Sequence, residues 1–182
     1  GLRRKQVFIT ISIFIFLADA LFVLMNYYQD KDAFQKELDQ QSRQFQVGFD
    51  VALSMTTQNM SQLASYVAHN THVRQLFADA SVGYKDEGMG KAGPVSANYR
   101  MKIYEEVADS WEYMKDRFAV RQLHFHLPPN DTSFLRVHKL SKWGDDLSSV
   151  RHMIVDVMKQ QRPTEGFELG RIYAGIRGAV PI

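Results

Sequence analysis

Cysteine is absent from the 182 residues, which excludes disulfides, Cys-based zinc sites, iron–sulfur clusters and a thiol nucleophile. It leaves the redox compartment open, since a chain without thiols tolerates either. A surplus of one charge is nearly absent too: 22 basic and 20 acidic residues leave +2. Nucleic-acid binding depends on neutralising many phosphates, so no nucleic-acid partner is expected. Catalytic signatures are missing: there is no Gly-x-Ser-x-Gly and no His-Glu-x-x-His. The Gly-x-Gly at Gly88–Gly90 follows no apolar strand and precedes no Lys-Ser or Lys-Thr, so it is not a phosphate cradle. No catalytic residue and no cofactor is expected in this stretch, although a further output domain could be an enzyme. With 45% apolar and 23% charged residues, most of the chain should fold.

The average hides an asymmetry. Val7 to Met25 reads VFITISIFIFLADALFVLM, with one charge in nineteen residues. As a helix it rises about 28 Å, close to the hydrocarbon thickness of a bilayer. Arg3, Arg4 and Lys5 precede it, and Tyr27 and Tyr28 follow. Basic residues mark the cytoplasmic side and tyrosines suit an interface. The expectation is a signal anchor over 1–28, with a cytoplasmic N-terminus and an extracytoplasmic body from 29 to 182. A cleaved signal peptide is the rival, because Ala18-Asp19-Ala20 has a small-x-small form. Cleavage there would leave Leu21–Met25 as an apolar stub. A buried core helix fits worse, since no polar face appears. Asp19, about 18 Å along the span, is expected to snorkel outward; a helix–helix contact is the alternative.

Past the span, Leu38, Phe45, Phe49, Ala52, Thr56, Met60, Leu63 and Val67 recur at steps of three, four or seven. That stripe predicts a long helix over 30–79. A stripe so narrow is a packing seam, against its own domain or a partner helix. The part from Phe34 to Phe49 is expected to meet the same helix of a second copy in a parallel homodimer. A loop is predicted over 81–98, where four glycines and a proline fall in eighteen residues. A helix over 99–118 follows, with Ile103, Val107, Trp111 and Met114 as its core face. Val120–Leu127 and Ser133–Leu140 alternate as two strands around the turn Pro128–Asp131. Ser148 is expected to cap a short helix over 149–160, and Gly166–Ile182 reads as one or two glycine-bent strands. The class is α+β: a membrane helix running into a long helix, packed on a small antiparallel sheet within 120–182. The chain stops in an apolar stretch, so the domain is expected to continue.

The strings Leu123-His-Phe-His-Leu-Pro-Pro, Ser133-Phe-Leu-Arg-Val-His, Gly144-Asp-Asp-Leu-Ser, Arg151-His-Met and Gly166-Phe-Glu-Leu-Gly-Arg resemble bacterial extracytoplasmic sensor domains of the Cache type. Such domains occur on chemoreceptors, membrane diguanylate cyclases and sensor histidine kinases. The resemblance is close over 121–182 and extends to the helices only in layout. It implies a PAS-like antiparallel sheet, a small-molecule pocket on one sheet face, and a second span leading to a cytoplasmic output. No second span or output is present in this sequence, so the output type is open.

Beside that resemblance stands the polar pattern. His124 and His126 share a strand face, and Arg136 and His138 share one on the next strand. If those faces align, cationic groups line one patch. Arginine binds carboxylates with two parallel bonds, so a small carboxylate or amino acid suits the patch. The site residues expected are His126, Arg136 and His138, with Asp145 and Arg151 in support and Trp111 or Tyr113 as apolar wall. In the competing reading these groups pin loops and sheet, with Asp145, Asp146 and Glu165 as partners. His-x-His with His138 offers three nitrogens to a metal, but no carboxylate follows at a suitable spacing, and no metal is expected. His69 and His72 read as a helix surface. Two functions remain: a receptor that binds a small ligand and signals across the bilayer, or a membrane-anchored docking subunit built on a truncated sensor fold.

Overall fold

The computed structural model describes residues 1–89, 93–170 and 174–182. Its elements run α1 (Leu2–Ala68), α2 (Thr71–Asp86), α3 (Pro94–Phe118), β1 (His124–Leu127), β2 (Thr132–Arg136), α4 (His152–Gln160), β3 (Thr164–Leu169) and β4 (Ala174–Ala179). The chain divides into two compact units, Gly1–Ala52 and Leu53–Ile182.

The first unit is all α1, and it contains an apolar window long enough to cross a membrane, none of it buried. The expected stripe is exposed at Leu38, Phe45 and Phe49. In the second unit the same helix does pack, through Ser61, Val67 and Ala68, with Leu63 partly covered.

The predicted single helix over 30–79 is instead broken at His69–Asn70. Asn70 is extended, and its side-chain oxygen accepts the N–H groups of His72 and Val73 at 2.9 and 3.1 Å. That cap opens α2. The predicted loop over 81–98 is also shorter than expected. α2 runs to Asp86 and α3 begins at Pro94, whose missing N–H costs a helix start nothing. Glu87 supplies the remaining cap by accepting from the N–H groups of Gly93 (2.9 Å), Val95 (2.6 Å) and Ser96 (3.1 Å). Gly90, Lys91 and Ala92 of that loop lie outside the described residues.

Ile103, Val107, Trp111 and Met114 are buried, as their spacing predicts. They meet Val73, Phe77 and Ala80 of α2 and Phe125, Phe134 and Leu135 of the β1–β2 hairpin in one core. The strands form two separate two-stranded antiparallel sheets, β1–β2 and β3–β4. Both strands of the first are shorter than alternation suggested. Its register runs His124↔Arg136 and Phe125↔Leu135, then slips to His126↔Ser133. Phe134 is the extra residue, and such a bulge re-aims the side chains beside it.

α4 begins at His152, later than predicted, because Ser148 binds Asp146 rather than capping a helix. It packs on the second hairpin through Met153, Val157 and Ala179. Gly178 of β4 lies so close to α1 that an added Cβ would sit 2.2 Å from the Ser61 nitrogen. Arg171, Ile172 and Tyr173 lie outside the described residues.

Candidate functional site

The β1–β2 hairpin has one face in the core and one covered by polar groups. His124 opposes Arg136, and beyond the bulge His126 opposes Ser133. The two imidazole centroids lie 3.8 Å apart with their planes tilted by 44°, and His138 stands edge-on to His124 at 6.2 Å. His124 Nε2 is 2.8 Å from the Ser133 hydroxyl. Burial holds its pKa well below the imidazole norm, and the cationic fields of His126, Arg136, His138 and Arg151 add to that. His138 is also held low by burial, against a 3.2 Å contact from its Nδ1 to the Leu123 carbonyl. His124, His126 and His138 thus lie together, with Arg136 and Arg151 close enough to act on His124.

What the cluster does with its charges differs from expectation at Arg136. Its two terminal nitrogens donate to Asp145 at 2.7 and 2.9 Å, and one also donates to the Lys142 carbonyl at 2.8 Å. The hydrogen bonds from Arg136 hold the Asp145 carboxyl below its usual range. A fork so occupied pins the loop 142–145 to β2 and has little left for a ligand.

Apart from Arg100, which lies over the Trp143 ring, the buried unsatisfied groups among the described residues lie nearby. Asp131 is fully buried, with its Oδ1 2.6 Å from His126 Nδ1, yet neither of its oxygens has a well-aligned hydrogen bond. Arg151 and Arg177 share one carboxylate, Glu168, at 3.6 and 3.2 Å. The first is too long for a hydrogen bond and the second does not form one, so Arg151, Arg177 and Glu168 each keep a buried atom without a hydrogen bond. Two guanidinium groups on one carboxylate leave a net positive site. An open groove of about 610 Å³ runs past Glu168, between Ser149–His152 and Phe167–Gly170. A second groove of about 480 Å³ lies between α1 and β3, lined by Gln58, Gln62, Tyr66 and Glu165. Its amides and hydroxyls carry none of the unsatisfied groups.

The two proposed wall residues separate. Trp111 is buried, 6.4 Å from the His138 ring. Tyr113 is exposed and packs edge-to-face on Phe118, well away from Trp111's face. Two residues along a helix turn about 200°, so both could not line one wall. His69 and His72 sit at the break between α1 and α2, where His72 contacts Glu106 at 2.7 Å. Among the described residues no group of three or more His, Cys, Asp or Glu is placed to hold a metal.

Asp131, Glu168 and Arg177 were not legible as site residues. Asp131 sits in a Pro-Pro-Asn-Asp string, where aspartate is ordinary turn chemistry. In β3 the alternation points Phe167 and Leu169 outward and Glu168 inward, the reverse of what hydrophobicity suggests.

No curated protein and no solved structure matches the chain significantly. One family does match, over residues 38–182, and its description is a double sensory domain of two-component sensor kinase. That span takes in α2, α3, both hairpins and the whole charged cluster, so the chain belongs to this dCache_3 family and is an extracytoplasmic Cache-type sensor domain.

Proposed function

We propose that this sensor, anchored by α1 with its N-terminus in the cytoplasm, binds a small carboxylate or amino acid and signals across the bilayer. The observation that carries the reading is the cluster of buried, unaligned polar atoms on Asp131, Arg151, Glu168 and Arg177. Buried polar groups without partners are costly, and in a receptor a ligand is what relieves them. Arg151 and Arg177 would take the anion. Asp131 or Glu168 would take an ammonium if the ligand has one. Arg136, His126 and His138 hold the frame around them.

The path to the membrane follows from Gly178. Arg177 precedes it, and β4 touches the α1 backbone at Met60–Ser61. A ligand that pulls Arg177 would therefore shift β4 against α1. A thermal-shift screen of carboxylates and amino acids on the chain in detergent tests this, with wild type beside Arg151→Gln and Arg177→Gln. A ligand should raise the wild-type Tm and lose most of that effect in both variants. Equal shifts in all three proteins would place the site elsewhere.

A further inference from the structure

Three imidazoles and one buried carboxylate share the polar face of the β1–β2 hairpin. β1 contributes His124 and His126, their ring centroids 3.8 Å apart. The turn contributes Asp131, 2.6 Å from His126. β2 contributes the Ser133 hydroxyl and Arg136, and the chain beyond it contributes His138. Arg151 approaches from the start of α4, backed by Glu168 and Arg177 of the second hairpin. α3 contributes the uncharged Trp111 ring beside His138.

His126 faces the Asp131 carboxylate, 2.6 Å away. A proton on His124 would have no such partner. Among the described residues no carboxylate lies within ion-pair distance of His124, and Arg136 is already neutralised by Asp145. A charged His124 ring would lie 3.8 Å from the His126 ring in a largely buried site, where an unpaired charge is costly. We propose that His124, packed against His126, is a proton-binding site that makes this sensor acid-responsive, a proton on His124 opening the hairpin.

The sign follows from linkage. Folded His124 resists its proton through burial first and the neighbouring cations second. An opened hairpin exposes a ring that accepts one at about pH 6.5. The closed state is therefore fully favoured above that pH and loses ground as pH falls below it, until closed His124 itself charges. The opening does not stay local. Ser133 N donates to the Asp145 carbonyl (2.9 Å), Gly144 N to that of Ser133 (2.7 Å), and Leu147 N to that of Asp131 (3.1 Å). These bonds tie the hairpin to the segment that delivers Arg151.

Hydrogen–deuterium exchange of the full chain in detergent tests this, corrected for intrinsic rates, from about pH 7.5 to about pH 5.5 to bracket the imidazole range. Peptides covering 131–147 should lose protection several-fold on acidification in wild type and in His152→Gln, whose ring is exposed. His124→Gln, which keeps a hydrogen-bonding group for Ser133 but no titration, should lose that pH dependence. Protection that is flat with pH in wild type, or an unchanged acid response in His124→Gln, overturns the proposal. Should His124→Gln fail to fold, imidazole NMR of the wild type decides. A His124 ring that titrates near the ordinary value with the hairpin closed refutes the site; one that stays neutral until the hairpin opens supports it. No ligand enters the experiment, so its outcome is independent of the carboxylate reading.

Discussion

The guanidinium of Arg136 is a tenth exposed, and its partner Asp145 about a third. Such a pair derives its worth less from Coulomb attraction than from two parallel charge-assisted bonds. Removing one member strands the other beside a buried strand, at a cost of about 2–4 kcal/mol. Arg136→Ala should therefore unfold at markedly lower denaturant concentration than wild type. Arg136→Lys should recover only part of the loss, since an ammonium cannot grip both oxygens. An Arg136→Ala protein as stable as wild type would reopen Arg136 as a free ligand contact. The acid side adds a second check. Asp145 is held below its usual range by Arg136, so its contribution is present above about pH 4 and vanishes as pH falls through the lowered value. Asp145→Asn should flatten stability in that window while leaving intact the fall that His124 produces nearer pH 6.5.

At the scale of elements, the legible parts were those whose periodicity is set by local burial. The Ile103–Met114 face reads off the sequence because α3 packs one stripe on the core. The helix break at Asn70 did not, because it rests on one side chain competing with the helix it interrupts. Likewise the pairing of Arg136 with Asp145 depends on a loop fold that no spacing specifies, and the bulge at Phe134 depends on register. The cationic cluster itself was visible as His-x-His and Arg-x-His, whereas the inward Glu168 ran against hydrophobicity. The contact of β4 with α1 was equally invisible, since a glycine in a strand signals close approach without naming the partner. It makes a sharp prediction. Gly178→Ala must push β4 off the backbone at Met60–Ser61, and overpacking of that kind costs about 1–3 kcal/mol. The variant should lose stability by that order, whereas Gly144→Ala, with open space around it but a positive φ, should lose only about 1 kcal/mol of backbone strain. A neutral Gly178→Ala would mean that β4 and α1 part easily, and the proposed path from Arg177 would fail.

For the whole molecule the open question is what covers the apolar residues of α1 that lie outside the bilayer. Phe34, Leu38, Phe45 and Phe49 are spaced four, seven and four residues apart, on one stripe, and all are exposed. Glutamines dominate the surface around them (Gln35, Gln40, Gln41, Gln44, Gln46). Gln35 and Gln41 donate to Asp39 and Glu37 of their own helix. Four large apolar side chains in water are an interaction surface rather than a solvated face. We propose that two copies meet here in parallel: a basic cluster such as Arg3–Lys5 would orient every copy the same way in the membrane, and like residues would then face like residues across a two-fold axis. The absence of native cysteine makes this measurable without background. Single cysteines placed in turn from Phe34 to Phe49, in membranes treated with a mild oxidant, should crosslink most strongly at 34, 38, 45 and 49. The yield should fall at positions half a turn away, giving a period near 3.5 residues if the helices supercoil. Uniform crosslinking would indicate chance collision. None at all would leave α1 as a single anchor, and transmission would then have to run through a partner of different sequence.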